Sequence, residues 1–296
     1  MPISCTKDNN PRPIPPGNNI VYTLEHGSYA GYIEKYGIYT CSDTGGNQAP
    51  LIESKTVAFL NPRWGPDEKI YFLSKYRGES RQQVYTINNN GTQVQRVSND
   101  TLAIFADLDV SPLTQKLLYN KNKGGITQLC SNNLQMTDEK VLLTTAASAS
   151  WSPDGSRVVY SQSGGLYIMN ADGTGQTKIT SNTLQLSISS TPFISPDGSK
   201  IVYTSARDRL VTNTTLTSYL TDVYTCNIDG SNEIRISNAV PQTDFWYNAN
   251  WAADNERVLI FQYGFRIQHS MRIRNTRDNS EKSVLGFWTT MSADIK

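Results

Sequence analysis

Apolar positions in this chain come in short bursts of β-branched and aromatic residues, and the bursts recur. Val158-Val159-Tyr160 is followed by Leu166-Tyr167-Ile168-Met169 and then by Lys178-Ile179. Polar joints separate them: Ser152-Pro153-Asp154-Gly155-Ser156, Gly164-Gly165 and Asn170-Ala171-Asp172-Gly173. The bursts predict strands, because branched and aromatic side chains suit a pleated, half-buried surface. The joints predict tight turns, because Gly, Asp and Asn tolerate turn dihedrals and bond their own backbone. With Trp151 heading the unit, it reads as four strands joined by tight turns.

The unit repeats along the chain. Third strands align at Tyr39-Thr40-Cys41, Tyr85-Thr86-Ile87, Gln128-Leu129-Cys130, Tyr167-Ile168-Met169, Tyr224-Thr225-Cys226 and Met271-Arg272-Ile273. Second strands align at Ile20-Val21-Tyr22, Ile70-Tyr71-Phe72, Leu117-Leu118-Tyr119, Val158-Val159-Tyr160, Ile201-Val202-Tyr203 and Val258-Leu259-Ile260. Fourth strands follow at Leu51-Ile52, Arg96-Val97, Val141-Leu142, Lys178-Ile179, Arg235-Ile236 and Val284-Leu285. The spacing runs from about 39 to about 57 residues, the range of a four-stranded propeller blade with loop insertions. The expected fold is all-β: a six-bladed propeller of four-stranded antiparallel blades over 18–296, with a Pro-rich tether over 1–17.

Trp151-Ser152-Pro153-Asp154-Gly155, Ile194-Ser195-Pro196-Asp197-Gly198 and Trp64-Gly65-Pro66-Asp67 resemble the WSPDG repeat of TolB-type propellers. Asn170-Ala171-Asp172-Gly173 and Asn227-Ile228-Asp229-Gly230 match the second half of that repeat. The TolB N-terminal domain has no counterpart in this sequence, nor has the hydrolase domain of the related peptidases. The resemblance implies the fold strongly and a function weakly, since propellers host many roles.

The first unit lacks an inner strand of its own. Pro11, Pro13, Pro15 and Pro16 precede Ile20, and Pro cannot donate to a central ladder. Met291-Ser292-Ala293-Asp294-Ile295 is expected to supply that strand and so close blade one.

Antiparallel order sorts the connections onto two faces. One face holds the short Asp-Gly turns. The other holds the insertions His26 to Gly37, Lys75 to Gln83, Asn182 to Thr191, Ala206 to Asp222 and Asn238 to Tyr247. Long loops on a rigid scaffold commonly carry function. Aromatic and Arg residues, the types enriched at binding hot spots, crowd them. Tyr32, Tyr76, Arg77, Arg207, Arg209, Tyr219, Trp246 and Tyr247 are the candidate partner-binding residues.

Charge is balanced, 27 Lys and Arg against 26 Asp and Glu, which argues against a nucleic-acid groove or an anionic membrane surface. Only two histidines, His26 and His269, are present, so zinc or iron sites built on several imidazoles are not expected. No Gly-x-Ser-x-Gly elbow occurs. Asp107, Asp109, Asn250 and Asp294 are candidates to line a central channel, as carboxylates and Asn do in calcium-dependent propeller lactonases. The turn residues Asp67, Asp154, Asp172, Asp197 and Asp229 are expected to bond their own turns. Cys41, Cys130 and Cys226 align in one apolar slot of alternate blades, too far apart to bridge, and are expected to be buried free thiols. Cys5, in Ile3-Ser4-Cys5, resembles the end of a bacterial lipobox and is a candidate lipid-attachment residue. The expectation is a monomeric, non-catalytic scaffold at a bacterial cell envelope, needing no cofactor, that binds a protein or peptide on the long-loop face. A metal-dependent hydrolase or lyase and a glycan-binding propeller are the alternatives.

Overall fold

The computed structural model describes residues 18–27, 33–145, 147–179, 191–205, 210–213, 216–219, 221–237, 244–264, 269–287 and 290–295. Blade one contains β1 (Asn18–Gly27), β2 (Ile33–Ser42) and β3 (Ala49–Ser54). Blade two contains β4 (Phe59–Trp64), β5 (Lys69–Ser74), β6 (Gln83–Asn88) and β7 (Gln95–Arg96). Blade three contains β8 (Ile104–Val110), β9 (Lys116–Lys123), β10 (Ile126–Asn133) and β11 (Lys140–Leu143). Blade four contains β12 (Ser148–Trp151), β13 (Arg157–Gln162), β14 (Gly165–Asn170) and β15 (Thr177–Lys178). In blade five, β16 (Phe193–Ile194) and β17 (Lys200–Ser205) precede a separate hairpin, β18 (Leu210–Asn213) with β19 (Leu216–Tyr219). β20 (Asp222–Asn227) and β21 (Ile234–Arg235) complete that blade. Blade six contains β22 (Asp244–Trp251), β23 (Arg257–Gly264), β24 (His269–Asn275) and β25 (Glu281–Phe287). The last strand, β26 (Thr290–Ile295), pairs antiparallel with β1, giving blade one the order β26-β1-β2-β3. The fold is thus a six-bladed propeller, and its first blade takes its inner strand from the far end of the sequence, as the proline argument required.

Two compact units divide the chain: the strands up to Leu143 together with β26, and the strands from Ser148 to Phe287. Within each unit the core lies between neighbouring blades. Val21 and Ile38 of blade one pack with Phe59, Ile70 and Phe72 of blade two, and Leu73 and Val84 of blade two pack with Phe105, Leu117 and Tyr119 of blade three. In the other unit, Val159 and Leu166 pack with Ile201 and Tyr203, and Val202 and Val223 pack with Ala249, Trp251 and Val258. Alternation explains this: the middle strands are covered on both faces and read as continuous apolar bursts. Two of the tryptophans that head the repeat add a directed bond. Trp64 Nε1 donates to Asn19 O of blade one at 3.0 Å, and Trp251 Nε1 donates to Phe193 O of blade five at 3.1 Å.

Three expectations are corrected. The stretch His26 to Gly37 is largely strand, since β1 and β2 pair out to Gly27 opposite Ile33. Likewise β22 begins at Asp244, so Trp246 and Tyr247 belong to a strand. The alignment of Cys130 with Cys41 and Cys226 is wrong by two residues. Cys41 lies opposite Ile20 and Cys226 opposite Ile201, but Cys130 lies opposite Tyr119. In blades one, two, four and five the matching place holds Tyr39, Tyr85, Tyr167 or Tyr224, each stacked on the aromatic ring of the second strand. All three thiols are nonetheless free and buried, and burial pushes them up to about 12 at Cys41 and Cys226 and about 11 at Cys130.

Candidate functional site

The two-residue slip has a structural consequence at the long-loop end of blade three. In blade four the second strand ends two residues beyond Tyr160, at Gln162 opposite Gly165. In blade three it runs four residues beyond Tyr119, to Lys123 opposite Ile126. β8 follows it outward, with Ile104 opposite Asn122 and Phe105 opposite Lys121. The tip is closed by Gly124 and Gly125, both at positive φ (61° and 83°), the backbone that a two-residue hairpin turn demands. Blade three therefore projects a three-stranded end that blade four does not have.

Large apolar side chains are exposed at that end. Six large apolar side chains are exposed among the described residues, and Leu102, Ile104, Leu113, Ile126 and Val141 of them belong to blade three or its lead-in. Leu102 (61% exposed), Ile104 and Ile126 (63%) sit at the projecting end. A cluster of charges braces it. Asp100 accepts from Lys123 Nζ at 2.9 Å and from Leu102 N at 3.1 Å, and lies 3.5 Å from Lys121 Nζ. Lys121 also donates to Glu139 at 2.8 Å. None of these residues stood among the sequence candidates. The available signal was an apolar residue directly after a double-glycine turn.

Blade two contributes the neighbouring connection, in which a short 3-10 turn, Tyr76–Gly78, presents Arg77. Tyr76 is half-buried, its ring against Phe59 and edge-on to Tyr85, and Tyr85 Oη donates to Tyr76 O at 2.7 Å. Arg77 is exposed, held at φ 61°, with its guanidinium 5.9 Å from the Tyr76 ring and Nη2 donating to Val94 O. So Tyr76 secures the loop and Arg77 faces solvent. Tyr32, Arg207, Arg209 and Cys5 lie outside the described residues, as do the side chains of Tyr219, Trp246 and Tyr247.

The inner-strand carboxylates serve local bonds. Arg63 Nε lies 3.3 Å from Asp109, both nearly buried. Asp107 occupies a bulge of β8 at φ 50°, a conformation that suits Asp and Asn, and accepts from Asn120 Nδ2 at 2.8 Å. Burial pushes its carboxyl above the usual range, against the opposing pull of Asn120 and Arg63. Asp294 accepts from Trp64 N, and Asn250 from Trp251 N. Among the described residues no three His, Cys, Asp or Glu side chains gather as a metal site would need. The turn aspartates also bond at home. Asp154 accepts from Ser152 Oγ and from Ser156 N, Asp172 from Thr174 N, Asp197 from Ser199 N and Asp229 from Ser231 N. Asp67 accepts from Tyr71 Oη.

Solved structures share this architecture. TolB from Acinetobacter baumannii superposes with a TM-score of 0.70 at 16% identity, over 95% of this chain and 67% of that one. The chain has the TolB-type propeller fold. Residues 113–229 also match the family described as the dipeptidyl peptidase IV N-terminal region. A chain from a nidogen/laminin complex matches the propeller at TM-score 0.67 and 8% identity, covering 94% and 97% of the two chains. So does oligogalacturonate lyase from Vibrio parahaemolyticus, at 0.53 and 13%, covering 91% and 74%. No curated protein matches the chain in sequence. At these identities the likeness concerns the fold alone.

Proposed function

We propose that this TolB-like propeller is a non-catalytic scaffold that binds a protein or peptide at its long-loop face, with the projecting end of blade three as the contact. The observation that carries this reading is the collection of exposed apolar side chains there. Leu102, Ile104 and Ile126 gather at one short strand end, the two isoleucines on its opposite faces, and a partner gripping that end would cover them. Lys123, exposed beside Ile126 at the tip, supplies a polar rim of the kind interfaces use. A nidogen/laminin complex contains a chain of this fold, so binding another protein is within its repertoire. The envelope location, with residues 1–17 as tether and Cys5 as lipid attachment, belongs to the same proposal and rests on the TolB resemblance and Ile3-Ser4-Cys5. No described helix is long and apolar enough to cross a membrane.

Site-specific photo-crosslinking in cells tests the face. A crosslinking residue at position 126 is expected to trap one protein, and Leu102→Asp to abolish the adduct. Adducts formed only from position 172, on a short turn, would reject the chosen face. A stoichiometric divalent ion in the purified protein would favour the hydrolase or lyase instead.

A further inference from the structure

The projecting end of blade three has two strand edges, and among the described residues only one is occupied. On the inner edge Phe105 N of β8 donates to Gln82 O at 3.1 Å, and Gln82 Nε2 donates back to Phe105 O at 2.9 Å. Gln83 Nε2 donates to Ala103 O at 3.0 Å. Blade two therefore satisfies that edge. The outer edge belongs to β10. There β11 reaches only to Leu143 opposite Leu129, while β10 runs three residues further, through Gln128 and Thr127 to Ile126. No described strand pairs with those three residues on that edge.

Strand geometry says which main-chain groups are left there. In an antiparallel ladder one residue turns both its N–H and its C=O to one neighbour, and the next turns both to the other. Val84 of blade two, Leu166 of blade four and Val223 of blade five turn theirs to the fourth strand: their carbonyls accept from Val97 N, Ile179 N and Ile236 N, each at 2.8 Å. Leu129 is their equivalent in blade three, since Cys130 lies opposite Tyr119 as Tyr85 lies opposite Phe72. So Leu129 faces β11, Gln128 faces β9, and Thr127 faces outward again. The side chains agree. Asn122 Nδ2 donates to Thr127 Oγ1 at 2.6 Å, the close approach of a cross-strand pair that shares no backbone bond. The edge is also accessible. Ile126 is exposed, Thr127 is half-buried, and a Cβ placed on Gly124 or Gly125 would meet no atom within 4 Å. Neither Pro nor a charged residue stands at 126–128 to blunt it.

We infer that β10 takes an extended segment of another protein as an added strand along 126–128, in line with β11. Main-chain bonds to Thr127 hold it, and an apolar side chain opposite Ile126 packs on that residue as a cross-strand pair. The inference rests on the partner-binding reading above and adds how the partner is held. A second copy of this chain is the wrong occupant. Its own β11 stands in the same line and leaves only 126–128 of each copy to pair, far short of what a stable dimer buries. A lone extended segment has no such obstruction.

A displayed library of random linear peptides, panned against the wild-type chain, tests it. Enriched peptides are expected to lack Pro and to carry β-branched or aromatic residues at alternate positions. They are then measured on three variants that share the wild-type melting profile. Thr127→Pro removes the outward N–H and sets a ring on the edge while sparing the bonds to β9, and should weaken binding about tenfold or more. Thr127→Val keeps the main chain and should bind as the wild type does. Ile126→Asp should abolish capture. If Thr127→Pro does not fold, N-methylation of the peptide, one residue at a time, replaces it and should block binding at every second position. Peptides that need Ile126 but bind Thr127→Pro as the wild type, or tolerate every N-methyl group, would overturn this inference and leave the partner-binding reading standing. Equal losses on Thr127→Val and Thr127→Pro would do the same, by assigning the contact to the hydroxyl. Loss on Thr127→Pro without loss on Ile126→Asp would overturn the apolar contact. Peptides indifferent to both, or no enrichment, would overturn both readings.

Discussion

Blades three and four follow each other in sequence and differ in a way that separates scaffold from surface. Blade four keeps the whole repeat. Trp151 heads the turn, Asp154 bonds it, Tyr160 stacks on Tyr167 at 5.3 Å and 17°, and the strands stop two residues later. Blade three has Val110 for the Trp and Leu113 for the Asp. Cys130 stands where the second Tyr would be, so Tyr119 turns its ring edge-on to Phe105 at 5.3 Å and 66°. Its strands run on into solvent and carry apolar side chains with them. The lesson is that the repeat specifies the part that need not vary. The blade that departs from the repeat is the one with a surface to explain.

The comparison breaks most visibly if either central tyrosine is removed. Tyr119 and Tyr160 are both essentially buried, and truncating either to Ala should cost about 3–5 kcal/mol, read from urea melts. A double-mutant cycle sharpens it. Tyr160 should couple to Tyr167 by about 0.5–1.5 kcal/mol, and Tyr119 should couple to Phe105 in place of its cross-strand partner Cys130. Coupling of Tyr119 to Cys130 as strong as that to Phe105 would contradict the slip in register.

A smaller effect distinguishes the two hydroxyls. Tyr119 Oη donates to Glu139 at 2.9 Å and accepts from Asn132 Nδ2 at 3.0 Å. Tyr160 Oη makes no hydrogen bond among the described residues. Tyr119→Phe should therefore cost about 1–3 kcal/mol, since it strands a buried amide, while Tyr160→Phe should stay within about 0.5 kcal/mol. Equal losses would mean that the polar network in blade three is not the replacement for the missing stack.

Most of the scaffold was legible from the residues, and the reason the rest was not is itself physical. Turn chemistry at Asp154, Asp172 and Asp197 was a local signal with a local outcome, and the prolines ahead of Ile20 were a local signal that β1 must take its inner partner from elsewhere. The slip in blade three was invisible because side chains alternate with a period of two. Sliding Gln128-Leu129-Cys130 by two residues leaves every apolar position on the face where it began, so a pattern of faces cannot detect it. Aligning one cysteine with another then hid the extra length, and with it the exposed Ile104 and Ile126. Arg77 was named by residue type and loop length, and it is exposed. Tyr76 was named the same way, but its half-buried packing depends on Phe59, in another strand, which no loop pattern reports.

The finest contrast is between two aspartates of opposite sign. In blade four the Ser152 and Ser156 bonds hold the Asp154 carboxyl down to about 2, below the roughly 3.9 of an unfolded chain. Its contribution to stability is complete above the unfolded value and is lost as pH falls through the folded one. The side chain is largely exposed, so solvent screening limits that contribution to at most about 1 kcal/mol. In blade three, burial raises the Asp107 carboxyl instead. There the ionised form is the costly one, so the penalty is absent below the unfolded pKa and grows as pH rises toward and through the folded one. Asn fits both the αL bulge and the space. Asp107→Asn should therefore raise stability at neutral pH, with the gain vanishing in acid, while Asp154→Asn should lower it, with the loss vanishing in acid. Thermal melts of the two variants between neutral and acid pH decide it. Parallel pH profiles would show that burial in the bulge does not govern Asp107, and that its bond to Asn120 carries the carboxylate at no net cost.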